Sequence, residues 1–179
     1  YTTLFRSRMT LLGSAIRKND YEQVIKICEP GIEATPDALE FYFYLVIAYN
    51  QAEHWDDVLE VSRKALEHVT PESDKQMVSD FYTIIGDVYH TKKLMKEAYA
   101  AYDSALVYNP SNIGALNNYA YYLSVERRDL DKAEEMSYKT VKAAPNNATY
   151  LDTYAWILFE KGNYAEARIY IDDAIKNKI

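Results

Sequence analysis

The stretch YTIIGDVYHTKKLMKEAYAAYDSALVYNP, residues 82–110, decides the fold. Its small residues and its proline stand at Gly86, Ala98, Ala105 and Pro110, with gaps of 12, 7 and 5. The same spacing recurs along the chain at a period close to 34. Ala120, Ala133, Thr140 and Pro145 follow at 13, 7 and 5, so one residue is inserted, and the Arg127-Arg128-Asp129 turn is the place for it. Ala155, Ala167 and Ala174 keep gaps of 12 and 7. Towards the start, Val46, Val58, Ala65 and Thr70 keep 12, 7 and 5, as do Leu12, Val24, Gly31 and Pro36. Five repeats thus run from about Phe5 to Ile179. Repeats of this length mark helix-turn-helix solenoids, in which each unit buries its apolar face only against its neighbours.

Each position has a physical task. Gly86, Ala120 and Ala155 lie in first helices, where a small side chain lets the second helix approach, and Ala98, Ala133 and Ala167 are the small residues facing them. Ala65, Ala105 and Ala174 lie two turns further on, at the seam with the following repeat. Pro36, Pro110 and Pro145 stop the second helices, since proline lacks the amide donor and clashes with the preceding turn. All five prolines are expected where a helix ends or begins. In the turns between paired helices, Asn19 and Gly162 suit a left-handed backbone. Glu53 and Lys93 replace them elsewhere, so those turns are expected to be strained or differently shaped. A large anchor follows each turn: Tyr21, Trp55, Met95, Leu130 and Tyr164.

The best copy, Tyr82-x2-Ile85-Gly86-x2-Tyr89 followed by Ala98, Tyr102, Ala105 and Pro110, resembles the tetratricopeptide repeat (TPR). The resemblance implies an all-α fold, a right-handed α-α superhelix of five helix-turn-helix repeats. They fall at approximately 5–38, 39–72, 79–112, 113–147 and 148–179, within one solenoid domain over 1–179. From Ala65 to Ala105 is 40 residues, so about six extra residues lie around 71–76, as a solvated connector or an extended start to the next first helix. The chain opens on Tyr1 and enters a repeat almost at once, so it reads as a fragment of a longer protein.

Composition fits a helical protein, with 49% hydrophobic residues, five glycines and five prolines. Much of the heavy use of tyrosine, 18 residues, belongs at interhelical positions such as Tyr42, Tyr49, Tyr82, Tyr89, Tyr102, Tyr119 and Tyr154. The longest apolar run, Phe41 to Tyr49, is far short of the roughly 20 residues that span a bilayer, and reads as a buried first helix. A net charge of −7 disfavours nucleic acid, which needs a basic footprint. Lys92-Lys93-Lys96 and Arg127-Arg128 fall at turns beside acidic residues, as solubilising surface. Cys28 lies on the inward face of a second helix, as a small buried apolar residue.

Nothing in the sequence assembles a catalytic centre. There is no glycine-rich phosphate loop, no metalloprotease histidine pair and no nucleophile with an evident base. His54, His68 and His90 are far apart, and Asp87 with His90 supplies only half a metal site. Glu134-Glu135 and Asp172-Asp173 read as solvated second-helix faces. No cofactor and no metal are implied.

In the family the resemblance points to, function lies in a concave groove formed by first helices. Helical stride assigns to it Phe43, Ile47 and Asn50, then Thr83, Asp87 and His90, then Asn117, Tyr121 and Ser124, then Asp152, Trp156 and Phe159. Glu40 and Asp80 add negative charge one turn earlier. Such a surface suits a protein or peptide with apolar anchors and neutral or basic character, Asn117 and Asp152 bonding its backbone while Tyr121 and Trp156 hold its side chains. The carboxylate clamp of chaperone adaptors needs cations on groove positions. Here Asp80, Ile84, Gly114, Asn118, Thr149 and Thr153 stand there, and Asn118 alone would serve. The chain therefore reads as a noncatalytic interaction scaffold; the alternative is an accessory repeat module of a multidomain enzyme or sensor whose catalytic part lies elsewhere. The closing segments, from Leu116 and from Tyr150, resemble bacterial family members, several of them lipid-anchored in the cell envelope. Self-association through uncapped ends is also expected, since Ile171 and Ile175 have no following repeat to cover them.

Overall fold

The computed structural model describes residues 3–178, and among them every regular element is a helix. The order is α1 (Thr3–Arg17), α2 (Tyr21–Ala34), α3 (Leu39–Gln51), α4 (Trp55–Glu67), α5 (Lys75–Thr91), α6 (Met95–Tyr108), α7 (Ile113–Val125), α8 (Leu130–Ala143), α9 (Ala148–Glu160) and α10 (Tyr164–Lys176). The ten pair as five helix-turn-helix repeats.

The turn inside each pair is one motif used five times. The amide three residues past the end of the first helix donates back to a carbonyl five residues earlier: Asp20 to Ala15, His54 to Tyr49, Leu94 to Tyr89, Arg128 to Leu123 and Asn163 to Leu158, all within 2.8–3.0 Å. This bond requires a left-handed residue just before the donor. That residue is Asn19, Glu53, Lys93, Arg127 or Gly162, with φ between 53° and 83°. Glu53 and Lys93 thus keep the shared geometry and carry its strain. The inserted residue lies where the spacing puts it, because Arg127 and Asp129 are both left-handed, at 53° and 42°. Asp129 still caps α8 by accepting from the Lys132 amide.

Second helices end where the prolines require, α2 at Ala34, α6 at Tyr108 and α8 at Ala143, each two residues before its proline. Pro30 departs from the expectation, since it lies inside α2. It forgoes one amide donor on an exposed face, while Val24, Ile27, Cys28 and Gly31 bury the opposite face and hold the helix together. The extra residues before the third repeat serve both expected roles. They lengthen α5 to 17 residues, starting at Lys75 rather than near residue 79, and leave a short connector capped by Asp74, which accepts from the Met77 amide at 2.8 Å.

Packing forms two compact units, one up to Ala98 and one from Tyr99. In the first, Leu12, Ala15, Val24, Ile27, Cys28, Phe41, Leu45 and Ala48 join α1, α2 and α3 into one core. Burial pushes the Cys28 thiol up to about 12, which leaves it an inert apolar group. In the second, α7 packs on α8, α8 on α9, and α9 on both α10 and α7. Its core contains Val141, Leu151, Tyr154, Leu158, Ala167 and Ala174. The tyrosines do interhelical work: Tyr119 stacks on Tyr99 and Tyr102 at 5.4 and 5.3 Å, and Tyr154 meets Tyr170 edge-on at 4.7 Å.

Ion pairs tie successive repeats. Lys92 reaches Asp56, Arg127 reaches Glu160, and Lys161 reaches both Asp131 and Glu134. Arg127 and Glu134, which read as plain solvated charge in the sequence, therefore hold junctions together. Arg128 lies over the Tyr99 ring, 5.5 Å from its centroid.

Candidate functional site

In the first unit, Phe43, Ile47 and Asn50 on α3 and Asp87 and His90 on α5 are half-buried, while Thr83 is buried. Phe43 packs edge-on against Phe81 at 5.5 Å, so part of its ring belongs to the α3–α5 contact. The Thr83 hydroxyl donates back to the Ser79 carbonyl at 2.9 Å and is spent within its own helix.

The second unit carries the open surface. Tyr121 on α7 is 43% exposed, and Trp156 and Phe159 on α9 are 42% and 49% exposed. An exposed aromatic patch is more informative than a singly exposed apolar residue. Helix stride explains it: Leu151, Tyr154 and Leu158 take the core face of α9, which turns Asp152, Trp156 and Phe159 outward. On α7, Leu116, Tyr119, Ala120 and Leu123 do the same and leave Tyr121 exposed. The Trp156 and Phe159 rings stack at 5.8 Å and 24°, and Phe159 meets Tyr164 of α10 at 5.2 Å. The ring contact of Tyr121 is with Tyr122 on its own helix, at 5.6 Å.

Two residues on these strides are placed differently from the expectation. Asn117 is buried, its Nδ2 donating weakly to Asn118 Oδ1 at 3.4 Å and its Oδ1 without a partner. Ser124 is fully buried and donates to the Tyr121 carbonyl at 2.6 Å. The open surface is left to Tyr121, Asp152, Trp156 and Phe159.

Beside them a cleft of about 500 Å³ opens between α9 and α10. Ala155, Trp156, Phe159, Tyr164, Ala167 and Ile171 give it apolar walls, and Asp152 and Arg168 bring opposite charges to it. Arg168 has no mark in the sequence except its place in the repeat, where α8 carries Glu134; Tyr164 reads there only as a turn anchor. Among the described residues, no three His, Cys, Asp or Glu side chains cluster closely enough to hold a metal ion, and no helix is long and apolar enough to cross a membrane.

The tetratricopeptide-repeat family model matches residues 79–112 and 148–178. No curated protein sequence matches the chain significantly. Among solved structures, PilF of Pseudomonas aeruginosa is similar with a TM-score of 0.80 and 18% identity over 98% of this chain and 77% of that one. A crystal structure of MamA gives 0.74 and 20% over 94% of each chain. YrrB, described as a TPR protein with an unusual peptide-binding site, gives 0.69 and 18% over 96% of this chain and 84% of that one. At such identities the likeness shows the fold, an all-α TPR-like superhelix of paired helices.

Proposed function

The chain is a tetratricopeptide-repeat protein, and from that premise we propose that it is a noncatalytic scaffold binding a peptide or protein segment on its first-helix surface. The observation that carries this reading is the exposure of Tyr121, Trp156 and Phe159 on α7 and α9, two first helices that pack together. Aromatic rings supply large, rigid contact area and dominate many interfaces. Asp152 beside them favours a neutral or basic ligand. The YrrB structure, whose description names a peptide-binding site, supports the same use of this fold.

The test is a titration of a captured partner against wild type and the Tyr121→Ala/Trp156→Ala variant, with circular dichroism as the folding control. Affinity should fall by about 2 kcal/mol or more for each ring that is a hot spot, with helicity unchanged. Undiminished affinity, or fold and binding lost together, would assign these rings to packing and place the partner elsewhere.

A further inference from the structure

One pair of positions on successive second helices is filled in opposite ways in the two units. In the second unit the ninth residue of α6, Asp103, and the third residue of α8, Lys132, form an ion pair at 3.2 Å. The same ammonium donates to the Tyr119 hydroxyl of α7 at 2.8 Å and lies 4.3 Å from the centroid of that ring. A half-buried lysine thus bridges two second helices across the first helix between them. In the first unit the ninth residue of α2 is Glu29 and the third residue of α4 is Asp57. The cation of the second unit is here another carboxylate.

Around these two carboxylates lies a groove of about 380 Å³, formed by α2, α3 and α4. Ile32, Leu45 and Val61 give it apolar surface, and Glu33 and Glu60 add to its negative charge. Lys64 also lines it, but Glu60 of the same helix holds that ammonium at 2.6 Å. Asp57 meets His54 at 3.4 Å, a group charged only when protonated. Glu29 accepts a long hydrogen bond from the Tyr49 hydroxyl at 3.5 Å and meets no cation among the described residues. Burial, and after it the charges of Glu29 and Asp57, raise that hydroxyl above its ordinary 10.0, so it stays a donor in a negative field. Like charges gathered against apolar walls repel one another, and a cation from outside relieves them. The groove's opening does not come from a missing neighbour, because α1 packs on α2 and α5 on α4.

We propose that this groove binds a lysine-bearing segment of a second partner protein, apolar on either side of the lysine, whose ammonium lies between Glu29 and Asp57. Lys132 is the template: the chain itself sets a lysine between these positions where its own sequence supplies one. Ile32 and Val61, both half-buried, receive the flanking apolar groups. A net charge of −7 argues against a second copy of the chain as the occupant. The site is independent of the first-helix surface proposed above, since it shares no residue with it.

The probe is the peptide acetyl-Leu-Lys-Leu-Lys-Leu-amide, titrated into the full chain and followed by backbone amide shifts, with glutamine in place of lysine as its control. The lysine peptide should shift amides of α2, α3 and α4 and bind more tightly than the glutamine peptide. Glu29→Gln/Asp57→Asn should weaken it about fivefold, whereas Asp172→Asn/Asp173→Asn, which removes the same charge elsewhere, should not. Asp57→Lys should abolish binding and raise the melting temperature, because it supplies from within the cation that Lys132 supplies in the second unit. Tyr121→Ala/Trp156→Ala should leave binding of this peptide unchanged, which separates the site from the first-helix surface. Equal weakening by the two acidic double variants, equal affinity of the two peptides, or shifts confined to other helices would overturn the proposal. So would a wild-type dimer in sedimentation that Glu29→Gln/Asp57→Asn dissociates, which would put a second copy in the groove.

Discussion

Gly31 in the middle of α2 reverses the usual preference for alanine inside a helix. Alanine there is ordinarily better by about 0.5–1 kcal/mol. At Gly31, however, a Cβ would lie 2.7–2.9 Å from three atoms of the Phe41 ring. That ring is fully buried and packed edge-on against Phe5 at 5.3 Å, so it has no room to yield. Gly31→Ala should therefore destabilise the protein by about 1–3 kcal/mol in denaturant unfolding; a stabilised variant would contradict the Gly31–Phe41 contact. The turns predict the opposite sign. Glu53 and Lys93 hold left-handed backbone at φ 59° and 62°. A side chain there costs about 1–2 kcal/mol, partly offset by the greater freedom of glycine in the unfolded chain. Glu53→Gly and Lys93→Gly should each raise stability by about 0.5–1 kcal/mol, and an unfolding midpoint that falls in both would show that the five turns are not equivalent.

At the scale of the element, the α8–α9 junction is held by Lys161. Hydrogen bonds to Asp131 and then Glu134 raise its ammonium from the ordinary 10.5 to about 12, and the same lysine holds the Asp131 carboxyl below its ordinary 3.8. The contribution of the lysine is complete below 10.5 and is lost as pH rises through about 12. That of Asp131 is complete above 3.8 and is lost as pH falls through its lowered value. Between those limits Lys161→Met should lower the melting temperature. The gap to wild type should close as the solution is acidified below about pH 4. A gap independent of pH would mean that Lys161 acts through its aliphatic stem rather than its charge. α5 teaches a different lesson at this scale. Its early start at Lys75 is carried by Asp74 as cap and by burial of Val78 and Ser79, and the spacing of repeats records only that residues have been added there.

Across the whole molecule, the repeat spacing made the helix pairs legible because small residues are forced wherever helices approach closely. Ala65, Ala98, Ala105, Ala120 and Ala133 are all fully buried, as that reasoning requires. Pro30 was not legible, because tertiary packing of α2 outweighs one lost amide bond. Stride identified the direction in which Tyr121, Trp156 and Phe159 face, but it does not measure depth, so Asn117, Ser124 and Thr83 are buried on the same strides. The central claim, that a partner docks on the open aromatic surface of α7 and α9, is tested most directly by hydrogen exchange on the full chain with and without the captured partner. Bound partner should slow exchange in α7 and α9 around Tyr121, Trp156 and Phe159 and leave α2 and α4 unchanged. Slowing confined to second helices, with α7 and α9 unaffected, would contradict the account.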